Sequence, residues 1–111
     1  MKEIKKSINS VEDSFILLLH EKCTFSIPKL NQIYSEIEEL LESHTMFTNK
    51  EIEACFFIYS KMNHYIIYHF DPQDLYTISN LPENYNEYLG KFTELIRRLI
   101  TMYPFYLNKE F

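Results

Sequence analysis

The stretch Thr48–Phe70, TNKEIEACFFIYSKMNHYIIYHF, decides the fold of this chain. Thr48 is followed three residues later by Glu51, which is the spacing of a capping box. In that motif each side chain accepts a hydrogen bond from the backbone amide of the other residue. Apolar residues then recur at spacings of three and four, the period of one helix face. The stretch therefore predicts a helix that begins near Asn49 and carries on its first face Ile52, Cys55, Phe56, Tyr59, Met62 and Ile66.

The rest of this helix is also rich in apolar and aromatic residues, including Phe57, Ile58, Tyr65, Ile67 and Tyr68. A helix that is apolar nearly all round is normally buried in a protein core or in a membrane. Its unbroken apolar part is too short to cross about 30 Å of hydrocarbon. We therefore expect the buried axis of a soluble bundle. Exposure of Tyr65, Tyr68 and His69 together would instead make this helix the first candidate for an interface.

Three further segments carry helical patterns. The first helix is predicted to end near Lys22 and has the apolar stripe Ile8, Val11, Phe15, Leu18 and Leu19. The second has Pro28 in its first turn, where a helix tolerates proline, and is strongly amphipathic from Leu30 to His44. The last begins near Asn84, ends at Pro104, and has a seam formed by Tyr85, Leu89, Phe92, Ile96, Leu99 and Tyr103.

These patterns predict an all-α protein, with residues 1–111 forming a single helical domain. Because the first two connections are short, we expect a small four-helix bundle of up-down-up-down topology. A longer loop from Asp71 to Pro82 precedes the last helix. Loops of this length often carry function. The plainer interpretation is a strap over one end of the bundle that packs the residues Leu75, Tyr76, Ile78 and Leu81.

Composition excludes several classes of protein. The formal net charge of -5 disfavours nucleic-acid binding, since nucleic-acid modules usually present a basic surface. Gly90 is the only glycine, so phosphate loops and dinucleotide fingerprints are excluded. Cys23 and Cys55 form neither a Cys-x-x-Cys motif nor a disulfide framework, and no secretory segment starts the chain. We expect reduced cysteines, a cytoplasmic location and no membrane association.

The residues that carry chemistry are poorly placed for catalysis. His64 and His69 are five apart and fall on different sides of a helix, while His20 with Cys23 supplies only two metal ligands. Asp71 and Asp74 have no nucleophile or basic clamp beside them in the sequence and suit a turn. We therefore expect no enzyme, no metal site and no cofactor.

A protein partner is the remaining hypothesis. The second helix carries an acidic row, predicted to lie on its exposed side, that could attract a basic protein, namely Glu36, Glu38, Glu39 and Glu42. The chain also has nine tyrosines, a residue favoured at interfaces, of which we assign Tyr76, Tyr88 and Tyr106 to the contact surface. Two simpler explanations compete with these: a solvated acidic face, and an AT-rich coding sequence that enriches tyrosine without selection for binding.

The leading expectation is a small acidic binding module that holds a more basic protein, as an inhibitor, an immunity protein, an antitoxin-type protein or an accessory regulator does. The alternative is a structural homodimer in which the last helix or the aromatic tail pairs across a two-fold axis. A small enzyme and a nucleic-acid binder are the least favoured classes.

Overall fold

Five helices make up the computed structural model, which describes residues 2–43 and 48–102. They are α1 (Lys2–Ile8), α2 (Phe15–Lys22), α3 (Ile27–Glu42), α4 (Asn49–Phe70) and α5 (Tyr85–Met102). The described residues contain no strand, and the predicted all-α class is confirmed. The four-helix topology is not confirmed, because the segment predicted as one first helix forms two.

The break between α1 and α2 has identifiable causes. Ser10 and Asp13 adopt left-handed backbone angles, with φ of 53° and 65°, which a continuing α-helix does not accommodate. Ser14 then begins α2, and its hydroxyl accepts a hydrogen bond from the Leu17 amide. Val11 is exposed as a result of the break. The apolar stripe from Ile8 through Val11 to Phe15 was therefore a wrong indication of one continuous helix.

The start of α4 follows the predicted capping box. The Thr48 amide donates to Glu51 Oε1 at 2.8 Å, and the Glu51 amide donates to Thr48 Oγ1 at 3.1 Å. Asp71, the residue before Pro72, ends the helix in an extended conformation. The segment from His64 to Phe70 is helical, although its β-branched and aromatic residues are also common in strands.

The helices surround one hydrophobic core. α1 and α5 each contact both α3 and α4, and α2 contacts α1 and α4. The inner side of α4 is formed by Cys55, Ile58, Met62 and Ile66, all of them buried.

Residues 71–84, called the strap below, connect α4 to α5 without a helix. Asn80 fixes the strap to the start of α3 because its side chain accepts from the Phe25 amide at 2.7 Å and donates to the Phe25 carbonyl at 3.1 Å. Ile78 is buried, and Tyr76 and Leu81 are half-buried, as expected of a packed strap. Leu75 is 99% exposed, so the prediction that it packs on the bundle was wrong.

Candidate binding surfaces

The acidic row of α3 is divided between the interior and the surface. Glu36 is only 4% exposed, so the prediction that it lies on the outer side was wrong. Its carboxylate accepts from the Glu3 amide at 2.8 Å, the Ile4 amide at 3.1 Å and the Gln32 side-chain amide at 3.1 Å. Glu36 therefore satisfies free amides at the beginning of α1, where the helix dipole also favours a negative charge.

The other three carboxylates remain toward the outside, at the C-terminal end of α3. Glu39 and Glu42 are exposed. Glu38 is half-buried and forms an ion pair with Lys91 of α5 at 3.4 Å. We call Glu38, Glu39 and Glu42 the acidic end of α3. No basic residue lies in the last turn of this helix.

The tyrosines assigned to a contact surface have structural partners in the fold. Tyr76 is half-buried, and its hydroxyl donates to the Leu19 carbonyl at 2.6 Å. Tyr88 is half-buried against Phe25, and its carbonyl accepts a hydrogen bond from the Tyr34 hydroxyl. Burial raises the pKa of Tyr34 and of Tyr76, so both hydroxyls keep their protons and act as donors. Tyr106 lies outside the described residues.

An aromatic cluster joins the strap to α2 and α4. The Tyr65 ring contacts Tyr68 and Tyr76, with centroid distances of 6.2 and 5.3 Å. Its hydroxyl is 2.8 Å from Nδ1 of His20. The Ile78 amide donates to Nδ1 of His69 at 2.8 Å. The histidines His20 and His69 thus hold the strap and α2 against α4.

No family model, curated protein or solved structure matches this chain. Within the described part of the chain, no group of three or more His, Cys, Asp or Glu side chains is arranged to hold a metal ion. Among the same residues, no helix is long and apolar enough to span a bilayer. Asp71 and Asp74 each accept from a backbone amide two residues ahead, at 2.9 and 2.8 Å, as residues in turns do.

The surface that sequence reasoning missed is the outer side of α4. This side carries a group of large apolar residues that are 37–61% exposed, namely Phe56, Phe57, Ile67, Tyr68 and Phe70. The line between them is polar and exposed and consists of Glu53, Ser60 and His64. We call these eight residues the outer face of α4. The prediction of a helix buried on all sides was therefore wrong.

The sequence contained a signal for this face. Glu53, Ser60 and His64 are separated by seven and four residues, which places them on one side of a helix. Because most of the neighbouring residues are aromatic or apolar, these three polar residues were not recognised as one exposed side of the helix. Of the three residues whose joint exposure would mark an interface, Tyr68 is exposed, while Tyr65 and His69 are half-buried.

The two thiols differ in accessibility and give a direct test of the core. Cys55 is fully buried and Cys23 is half-buried. Burial, with smaller contributions from Glu51 and Glu36, raises the pKa of the Cys55 thiol to about 12. A raised pKa disfavours the thiolate, which is the reactive form, so Cys55 stays almost entirely protonated at pH 8.

We therefore expect a disulfide reagent at pH 8 to modify one thiol per native chain rapidly and the second only in denaturant. The measurement is the time course of thiol release under both conditions. In a Cys23→Ser variant, the rapid phase is expected to disappear. Two rapid phases in the native wild-type protein would contradict the buried position of Cys55.

Proposed function

We propose that this protein is a binding module whose acidic end of α3 holds a more basic protein. Its biological role would be that of an inhibitor, an immunity protein, an antitoxin-type protein or an accessory regulator. The main support is the position of Glu38, Glu39 and Glu42 at the C-terminal end of a helix.

That end of a helix carries partial negative charge from its free carbonyl groups, so carboxylates there are unfavourable for stability. α3 has no basic residue in its last turn to compensate. The ion pair of Glu38 with Lys91 is solvent-exposed and contributes little. The carboxylates and the dipole therefore add to one negative potential, which favours the approach of a basic surface.

Because of this arrangement, replacing the carboxylates by cations is expected to raise the stability of the fold and to abolish partner binding. The double variant Glu39→Lys/Glu42→Lys removes two carboxylates that the negative end of the α3 dipole repels. It places two cations there instead, which the dipole attracts. We expect its free energy of unfolding to rise by about 1 kcal/mol, while capture of the basic partner is lost. Urea unfolding measures the first effect, and affinity capture from native lysate at low and moderate salt, with identification by mass spectrometry, measures the second.

Glu12→Lys/Glu21→Lys is the matched control, since it makes the same change of net charge at exposed positions outside α3. A basic protein retained by the wild type and this control, but lost with the α3 variant, supports the proposal. Recovery of only the bait, or equal loss with both double variants, contradicts it. Equal loss would show a general effect of net charge.

A further inference from the structure

We propose that two copies of this chain associate through the outer faces of their α4 helices, packed antiparallel about a two-fold axis. This inference goes beyond the binding of a basic partner, because it uses the outer face of α4 and none of the residues at the acidic end of α3. It also differs from a dimer formed by the last helix or the tail.

The spacings between exposed residues along α4 are the same whether they are read from the N-terminal or from the C-terminal end of the helix. Six exposed positions follow one another at spacings of three, four, three, four and three, and they are Lys50, Glu53, Phe57, Ser60, His64 and Ile67. Alternating spacings of three and four are those of a coiled-coil seam. Because this series reads the same in both directions, one antiparallel register pairs every seam position with another seam position.

That register places the two-fold axis between Ile58 and Tyr59. Phe57 then lies against Ser60 of the second copy, so a large ring meets a small side chain. Glu53 lies against His64 of the second copy, so a carboxylate meets an imidazole that can donate a hydrogen bond or carry positive charge. In a two-fold interface each of these contacts occurs twice.

The same register also places Ile67 and Tyr68, two of the exposed apolar residues, against the second copy. Lys50 lies opposite Ile67 of the second copy, and its aliphatic stem can cover that side chain while the ammonium group stays in water. Tyr68 of the second copy comes beside Lys50, next to an open groove between α1 and α4. This groove has a volume of about 400 Å³ and is lined by Ile8, Lys50, Glu53, Ala54 and Phe57. A tyrosine is a suitable occupant because it combines a large apolar ring with a polar tip.

Large apolar side chains exposed on both sides of the polar line of α4 are a feature of contact surfaces. Phe57 is 42% exposed, and its ring is covered on one side by Lys61, whose Nζ is 5.6 Å from the ring centroid. Antiparallel pairing would bury the opposite, uncovered part of the ring against Ser60 of the second copy.

A charge exchange tests both the dimer and its register. Glu53→Lys sets a cation against His64 of the second copy, and His64→Glu sets a carboxylate against Glu53 of the second copy. We expect each single variant to weaken the dimer, and the double variant Glu53→Lys/His64→Glu to restore it through two lysine–glutamate pairs. Phe57→Asp is expected to raise the dissociation constant at least about thirtyfold, as loss of a hot-spot residue does.

Sedimentation velocity of the full chain, from low to high micromolar concentration, measures these changes. Far-UV circular dichroism checks that each variant stays helical, which we expect because all three positions are exposed. A wild type that remains monomeric at every concentration overturns the inference. A dimer that Phe57→Asp does not weaken, or that the double exchange does not restore, overturns the α4 register. Glu12→Lys/Glu21→Lys, at exposed positions outside α4, serves as the control and is expected to leave the dimer unchanged.

Discussion

Replacing Glu36 by alanine is expected to lower the free energy of unfolding by about 3 kcal/mol. The carboxylate is almost fully buried and accepts from the amides of Glu3 and Ile4 and from the side chain of Gln32. Its removal leaves buried donors without acceptors at the start of α1, and each such donor carries the cost of lost hydration. For a chain of this size the melting temperature should fall by roughly 13 °C.

The destabilisation caused by Glu36→Ala is expected to extend from α1 to α2 and α3. The Glu3 carboxylate accepts from the Phe15 amide at 3.4 Å and lies 3.6 Å from Lys29, so it connects the starts of α1 and α2 with α3. When α1 is released from Glu36, these contacts weaken with it.

Urea unfolding at one protein concentration measures the change. Glu39→Ala is the matched control, because it makes the same chemical change three residues along the same helix at an exposed position. We expect that control to change stability by no more than about 0.5 kcal/mol. Similar unfolding midpoints for the two variants would contradict the role assigned to Glu36.

Glu36 also shows where sequence reasoning reaches its limit. Three local features were predictable, because each depends on residues within one turn of the chain. They are the capping box at Thr48, the proline in the first turn of α3 and the end of α4 before Pro72. The burial of Glu36 depends on amides 32 and 33 positions away. No periodicity along α3 reveals that the beginning of another helix needs an acceptor at this point.

The division of the first predicted helix has a related cause. The apolar stripe from Ile8 to Phe15 is continuous in sequence, and only the left-handed residues Ser10 and Asp13 interrupt it. Either residue type is tolerated within a helix, so the pattern could not identify the break. The tertiary contacts that favour it include the bond from the Ile16 amide to the Ser7 hydroxyl at 3.4 Å.

The outer face of α4 was missed for a different reason. Aromatic and aliphatic residues are read as core residues, yet the number of neighbouring helices limits how many of them can be buried. α4 contacts α1, α2 and α5, and Phe57, Ile67 and Phe70 on its outer face remain exposed. Counting the helices predicted around a central element would have shown that a helix apolar on every side must expose part of its surface or cover it with another molecule.

Replacing Phe92 by alanine is expected to have the largest effect, about 4 kcal/mol of lost stability. The ring of Phe92 is fully buried in α5 and contacts Tyr34 of α3 and Tyr59 of α4, with centroid distances of 5.3 and 5.2 Å. It therefore links α5 to both α3 and α4. The lost stability has three sources. The free energy gained by burying the ring is lost, a cavity is left in the core, and the two aromatic contacts disappear.

Ile100→Ala, at a position of α5 that is 47% exposed, is the control and should change stability by no more than about 1 kcal/mol. Near-UV circular dichroism should weaken in the Phe92 variant, because Tyr34 and Tyr59 lose the packing that fixes their rings. A Phe92→Ala protein that unfolds at the same urea concentration as Ile100→Ala would show that this ring does not hold α3 and α4 together.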